Sequence, residues 1–133
     1  MKPQFSVMLI DDSDDDNFIH EIIIKKVGFA TSISVYQYAE VALEYLKIED
    51  RDGIDIIFLD INMPRMNGFE FLDEYAKLSP EQQARCLLFM VSTSLNPQDK
   101  QRAEDHGAVT AFIGKPLTVN ALEEVVTDYL DRQ

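Results

Sequence analysis

The sequence is poor in cysteine, in positive charge and in long apolar runs. Its single cysteine, Cys86, excludes an internal disulfide, and the neighbours Leu87, Leu88 and Phe89 predict a small buried side chain rather than a redox centre. Twelve Lys and Arg face 24 Asp and Glu, and the resulting charge of -12 repels a phosphate backbone or an anionic membrane surface. Neither nucleic acid nor membrane is an expected partner; cations and basic surfaces are. The two histidines, His20 and His106, lack a second histidine or cysteine at metal-ligand spacing, which excludes a zinc site and predicts two surface residues. The longest apolar runs are strand-sized and the first five residues hold no apolar signal core, so a cytoplasmic location is expected.

What remains is ordinary globular material. The 133 residues are 46% hydrophobic and 27% charged, enough for one domain over residues 1–133 with its own core and too little for an added output domain. Short runs rich in β-branched or aromatic residues recur at 5–10, 33–36, 56–59, 87–91 and 109–113 and read as buried strands. Helical spacing fills the gaps, and a βα pair recurs about every 20 to 30 residues. That alternation predicts an α/β fold, a parallel sheet covered on both faces.

The first helix opens at Ser13 as N-cap with Asp16 three residues on, turns Ile19, Ile22, Ile23 and Val27 inward, and ends at Gly28. The second gathers Tyr38, Ala42, Tyr45 and Leu46 on one face. A third follows Gly68, which allows a turn, and buries Leu72 with Tyr75 or Ala76. The fourth runs from Pro97 toward Gly107 with little but Ala103 to bury, so it should be exposed and weakly held. The last starts near Thr118 and docks through Leu122, Val125, Val126 and Tyr129.

Ligands of parallel α/β sheets bind outside the carboxyl ends of the strands. Asp11 and Asp12 follow the first strand, Asp60 the third, Ser92, Thr93 and Ser94 the fourth, and Lys115 the fifth. Three carboxylates brought together raise one another's pKa unless a cation lies between them. Magnesium suits such a site, because it takes one or two carboxylates and completes its shell with water and phosphate oxygens. Lys115 and the Ser92 hydroxyl are the groups that would hold phosphoryl oxygens, leaving Asp60 as the nucleophile. Asp14, Asp15 and Asp16 are explained by helix capping and the helix dipole, and stand outside this site.

Taken in order, "LIDD", "FLDINMPRMNGFEFL", "MVSTS" and "FIGKP" resemble the acidic pair, phosphoacceptor segment, hydroxyl segment and lysine segment of the receiver domain of two-component response regulators. The likeness covers essentially the whole chain. It implies a flavodoxin-like (βα)5 fold with strand order 2-1-3-4-5, a phosphoryl group carried on Asp60, and magnesium held by Asp12, Asp60 and the Asn62 carbonyl, with Asp11 acting through water. It further implies a switch in which Ser92 draws toward the phosphoryl group and Phe112 rotates behind it, and a cis peptide before Pro116.

The implied role is a stand-alone receiver that takes its phosphoryl group from a histidine kinase or histidine phosphotransfer protein and signals to a downstream protein or passes the group on. It is not an enzyme on external substrates. An aspartate-based phosphatase would need an acid two residues after the nucleophile, and Asn62 cannot protonate a leaving group. A passive receiver-like binding module is the remaining alternative. The last two helical segments form an exposed face that could pair two copies.

Overall fold

The computed structural model describes residues 5–84, 87–93 and 96–130. Its elements alternate: β1 (Phe5–Ile10), α1 (Asp14–Val27), β2 (Ala30–Tyr36), α2 (Ala39–Lys47), β3 (Ile56–Leu59), α3 (Gly68–Tyr75), β4 (Leu87–Ser92), α4 (Pro97–Asp105), β5 (Ala111–Gly114) and α5 (Val119–Val125). A 3-10 turn at Pro80–Gln82 precedes β4, and α5 runs on into a π-turn at Val126–Leu130. All pairings are parallel and the order is β2-β1-β3-β4-β5, as the resemblance implied.

Strand residues alternate between two cores. Met8, Ile10, Ile57, Leu59, Leu88 and Met90 meet α2, α3 and Ala103 of α4 on one face of the sheet. Val7, Leu9, Ile56, Phe58, Leu87 and Phe89 meet α1 and α5 on the other. Covering both faces explains why β1, β3 and β4 read as nearly unbroken apolar runs. Among the described residues no helix is long and apolar enough to cross a membrane.

The helix caps follow the sequence closely. Ser13 Oγ accepts the Asp16 N–H at 3.2 Å, Gly28 closes α1 with φ 86°, and Thr118 Oγ1 accepts the Ala121 N–H at 3.1 Å. α4 buries only Ala103. It leans on α3 through Arg102, whose guanidinium lies 4.1 Å from the Phe69 ring centroid.

The rotation of α1 differs in part from the expected one, although Val27 is buried and Ile23 packs against the core as expected. Asn17, His20, Ile24 and Val27 face inward, whereas Ile19 is 48% and Ile22 44% exposed. The cause lies in the turn before the helix: Asn17 Nδ2 donates to the Asp11 carbonyl at 2.8 Å, which fixes the phase with Asn17 inside. His20 follows it one turn later and is buried, not a surface residue. His106 is half-buried, accepting the Ala108 N–H on Nδ1 and lying 3.6 Å from Asp73 through Nε2. Tyr38 stays partly exposed at the entrance of α2, where the Arg65 guanidinium covers its ring at 4.0 Å.

In α3 Leu72 and Tyr75 are buried and Ala76 is exposed. β2 begins at Ala30 because Thr31 and Ser32, although polar, lie on the sheet edge. β5 starts two residues later than expected, since the Val109 N–H is taken by the His106 carbonyl. Cys86 and Ser94 lie outside the described residues.

Candidate functional site

The carboxyl ends of the strands carry their polar residues on backbone fixed by the neighbouring strand. The Asp11 N–H donates to the Tyr36 carbonyl at 3.0 Å, the Asp60 N–H to Ile10 at 2.9 Å, and the Lys115 N–H to Ser92 at 2.9 Å. Each residue therefore continues a sheet ladder one step past its strand. Adjacent strands lie about 4.8 Å apart, so this placement brings Asp11 beside Asp60.

The side chains converge there. Carboxylate oxygens of Asp11, Asp12 and Asp60 all lie within 4.8 Å of one another; Asp11 and Asp60 are buried and Asp12 is exposed. Lys115 Nζ reaches across to Asp11 Oδ2 at 2.7 Å, Asp16 Oδ2 at 2.8 Å and Asp60 Oδ1 at 3.2 Å. Asp11 Oδ1 accepts the Ser13 N–H at 3.0 Å, which orients that carboxylate from the start of α1.

The electrostatics follow from this crowding. Burial, then the neighbouring Asp11 charge, push Asp60 up from 3.8 to about 6, against the pull of Lys115. Burial alone would pull Lys115 down, but its hydrogen bonds to Asp11 and Asp16 and the charge of Asp60 outweigh it and hold the ammonium above its ordinary value. Burial, followed by the nearby Lys115 charge, lowers His20 and keeps its imidazole neutral at pH 7.

A single divalent cation fits the donor set. The three carboxylates offer only hard oxygen atoms, the chemistry that magnesium and calcium take, and Asp60 is left protonating too readily by the lysine alone. Asn62 is exposed two residues beyond Asp60, on the loop that bends around the site.

That loop is held from both ends. Arg65 has φ 68° and pairs with Glu40 of α2. Gly68 donates to the Ile61 carbonyl at 2.8 Å, and a Cβ added at Gly68 would lie 2.4 Å from the Asp60 carbonyl oxygen and 2.9 Å from Ile61 Cα. The requirement for glycine is close approach rather than the turn expected from sequence, and it presses α3 directly on the Asp60 backbone.

Ser92 is buried at the end of β4, while Thr93 beyond it is exposed. Phe112 is half-buried in β5, packed on the α3 side of the sheet. The Lys115–Pro116 peptide is cis. Beneath the carboxylates a cavity of about 10 Å³ is lined by Asp11, Asn17, His20 and Asp60 among others. A cleft of about 670 Å³ lies elsewhere, at the amino ends of β3 and β4 around Arg51, and holds none of the residues that converge on Lys115.

Asp16 is the residue that sequence reasoning assigned elsewhere, and Asn17 is one it passed over. Asp16 caps α1 through its backbone N–H, and its carboxylate is left to reach Lys115. The signal was an acid one helical turn after the Asp11-Asp12 pair, read as a dipole effect.

Comparison with known proteins agrees with this geometry. The family model described as response regulator receiver domain matches residues 7–127. A two-component response regulator from Cytophaga hutchinsonii superposes with TM-score 0.83 at 33% identity, covering 98% of this chain and 99% of that one. A response regulator receiver protein from Dyadobacter fermentans gives TM-score 0.80 at 31% identity, covering 92% and 95%. A probable cyclic di-GMP phosphodiesterase of Vibrio cholerae is 30% identical over 98% of this chain, which spans 27% of its length. The aerobic respiration control sensor protein ArcB of Escherichia coli is 28% identical over 98% of this chain, which spans 16% of its length.

Proposed function

Because this chain belongs to the response regulator receiver domain family, we propose that it accepts a phosphoryl group on Asp60 from the phosphohistidine of a histidine kinase or histidine phosphotransfer protein. The observation that carries the reading is the convergence of Asp11, Asp12 and Asp60 with Lys115 at the carboxyl edge of the sheet. A carboxylate oxygen of Asp60 attacks phosphorus, the phosphorus–nitrogen bond of the donor breaks, and the imidazole leaves with the bonding pair.

Asp12, Asp60 and the Asn62 carbonyl would hold magnesium, with Asp11 acting through a bound water. Magnesium supplies charge neutralisation between the carboxylates and the phosphoryl oxygens. Lys115 holds a phosphoryl oxygen as a compact cation, and the Ser92 hydroxyl, at the end of β4, holds another. Phe112 then turns inward behind Ser92. Signalling follows from preference for one of two arrangements of the surface, with α4 the segment of least apolar attachment.

The protein acts only on its own aspartyl phosphate, forming and hydrolysing it, and turns over no external ester. It meets its donor in the cytoplasm, and its output is read by a downstream protein, by onward phosphotransfer or by a second copy through the last two helical segments. The test is incubation with acetyl phosphate and magnesium, followed by intact mass of wild type and Asp60→Asn. A single phosphoryl adduct lost in the variant supports the receiver; sustained phosphate release would mean a phosphatase, and no reaction a passive module.

A further inference from the structure

Lys115 has more partners than its role as a phosphoryl ligand allows. An ammonium carries three N–H donors. Here three carboxylates surround it: Asp11 at 2.7 Å, Asp16 at 2.8 Å and Asp60 at 3.2 Å, with the lysine side chain only 8% exposed. An incoming phosphoryl oxygen can bind Lys115 only if one of these contacts is given up.

The three are not equally releasable. Asp60 becomes the acyl phosphate itself. Asp11 is buried, its other oxygen tied to the Ser13 N–H at 3.0 Å, so it would be left unsatisfied in a poorly solvated place. Asp16 has a side chain 38% exposed and its carboxylate regains water at once. The cheapest contact to break is therefore the one from α1.

We propose that Asp16 is a positioning residue that competes with the phosphoryl group for Lys115, holding the ammonium back in the unphosphorylated protein and thereby setting how readily a donor phosphoryl group is taken. This rests on Asp60 being the acceptor. Asp16 is not one of the three acids grouped to hold a cation, and its carboxylate reaches the site through Lys115. It acts through Lys115.

The alternative explanation of any effect is bulk charge, because each acid near the site repels an anionic donor. Asp15 separates the two. It is exposed on the same turn, carries the same charge and is absent from the contacts of Lys115. Neutralising it changes the field but not the competition.

The experiment measures adduct formation by intact mass against acetyl phosphate concentration, with magnesium, for wild type, Asp16→Asn and Asp15→Asn. Asparagine at 16 keeps the backbone N–H that bonds Ser13, so α1 retains its cap. Thermal unfolding checks that both variants are folded. The half-saturating concentration should fall roughly fivefold in Asp16→Asn, the size expected for one partly exposed charged contact, and change less than about twofold in Asp15→Asn. The maximal rate should stay near wild type. Equal shifts in both variants, no shift in Asp16→Asn or a rise would overturn the competition. If wild type forms no adduct that Asp60→Asn abolishes, the acceptor reading itself has failed; if it does and Asp16→Asn behaves as wild type, only the role of Asp16 has.

Discussion

Gly68 stands against Asp60: a methyl group on the first residue of α3 would lie 2.4 Å from the Asp60 carbonyl oxygen. The start of one helix and the end of one strand are thus in direct backbone contact, and the Asp60 carboxylate inherits its position from that contact. Gly68→Ala must push α3 or Asp60 aside, at a cost of roughly 1 to 3 kcal/mol typical of overpacking. Urea denaturation should show that loss, with slower adduct formation by acetyl phosphate at conditions where the variant is fully folded. Wild-type stability and rate would mean that the contact is not felt.

Asp60 is expected to weaken the metal-free fold. Its pKa rises on folding from 3.8 to about 6, so between those values the native state binds more protons than the unfolded chain. Stability on this account falls as pH rises through that window, and the penalty is complete above it. Asp60→Asn should be more stable than wild type at pH 7, by up to about 3 kcal/mol at 1.36 kcal/mol per unit, and no more stable below pH 4. Magnesium should raise the wild-type melting temperature and leave that of Asp60→Asn much less affected. Denaturation across pH, with and without magnesium, checks both.

Lys115→Met should be costly for the opposite reason. It leaves buried Asp11 and Asp60 without their cation, a loss on the order of 3 to 5 kcal/mol for breaking a buried pair from one side. The lysine is held above its ordinary 10.5, so the ammonium keeps its charge at every pH below that value, and its own titration removes the contribution only as pH climbs past it. The deficit of the variant should shrink in acid as Asp60, raised to about 6, protonates. Chemical denaturation at pH 7 and pH 4 gives the two numbers, and a deficit that does not shrink would count against the pairing.

The helix α4 should exchange its amide hydrogens ahead of α1. One buried residue, Ala103, and the stacking of Arg102 on Phe69 attach it, whereas α1 is anchored by Asn17, His20, Ile24 and Val27. Hydrogen exchange by mass spectrometry should find residues 97–105 least protected of the helices, with altered protection on adding beryllium fluoride and magnesium as a phosphoryl mimic. Equal protection of α1 and α4, or no response to the mimic, would contradict this.

The strands, their polar ends and most helix caps were readable because each rests on local chemistry: apolar runs for β1, β3 and β4, hydroxyl caps at Ser13 and Thr118, glycine at 28. Strand order was not readable from periodicity and came from the family resemblance. The phase of α1 was misread because its two inward polar residues serve the site rather than the core, Asn17 by bonding the Asp11 carbonyl and His20 by lining the cavity below Asp60. Counting isoleucines brought Ile19 and Ile22 inside along with Ile23 and Val27, which do pack there. Asp16 was missed likewise, since its backbone explains a cap and only tertiary structure reveals where its carboxylate goes.

The most direct measurement locates the adduct. Protein treated with acetyl phosphate and magnesium is reduced with borohydride, which converts an aspartyl phosphate to homoserine, and its peptides are sequenced by mass spectrometry. Homoserine at position 60 alone, absent without magnesium, is the expected result; modification at another carboxylate, or at none while the protein is folded and metal is present, would contradict the account.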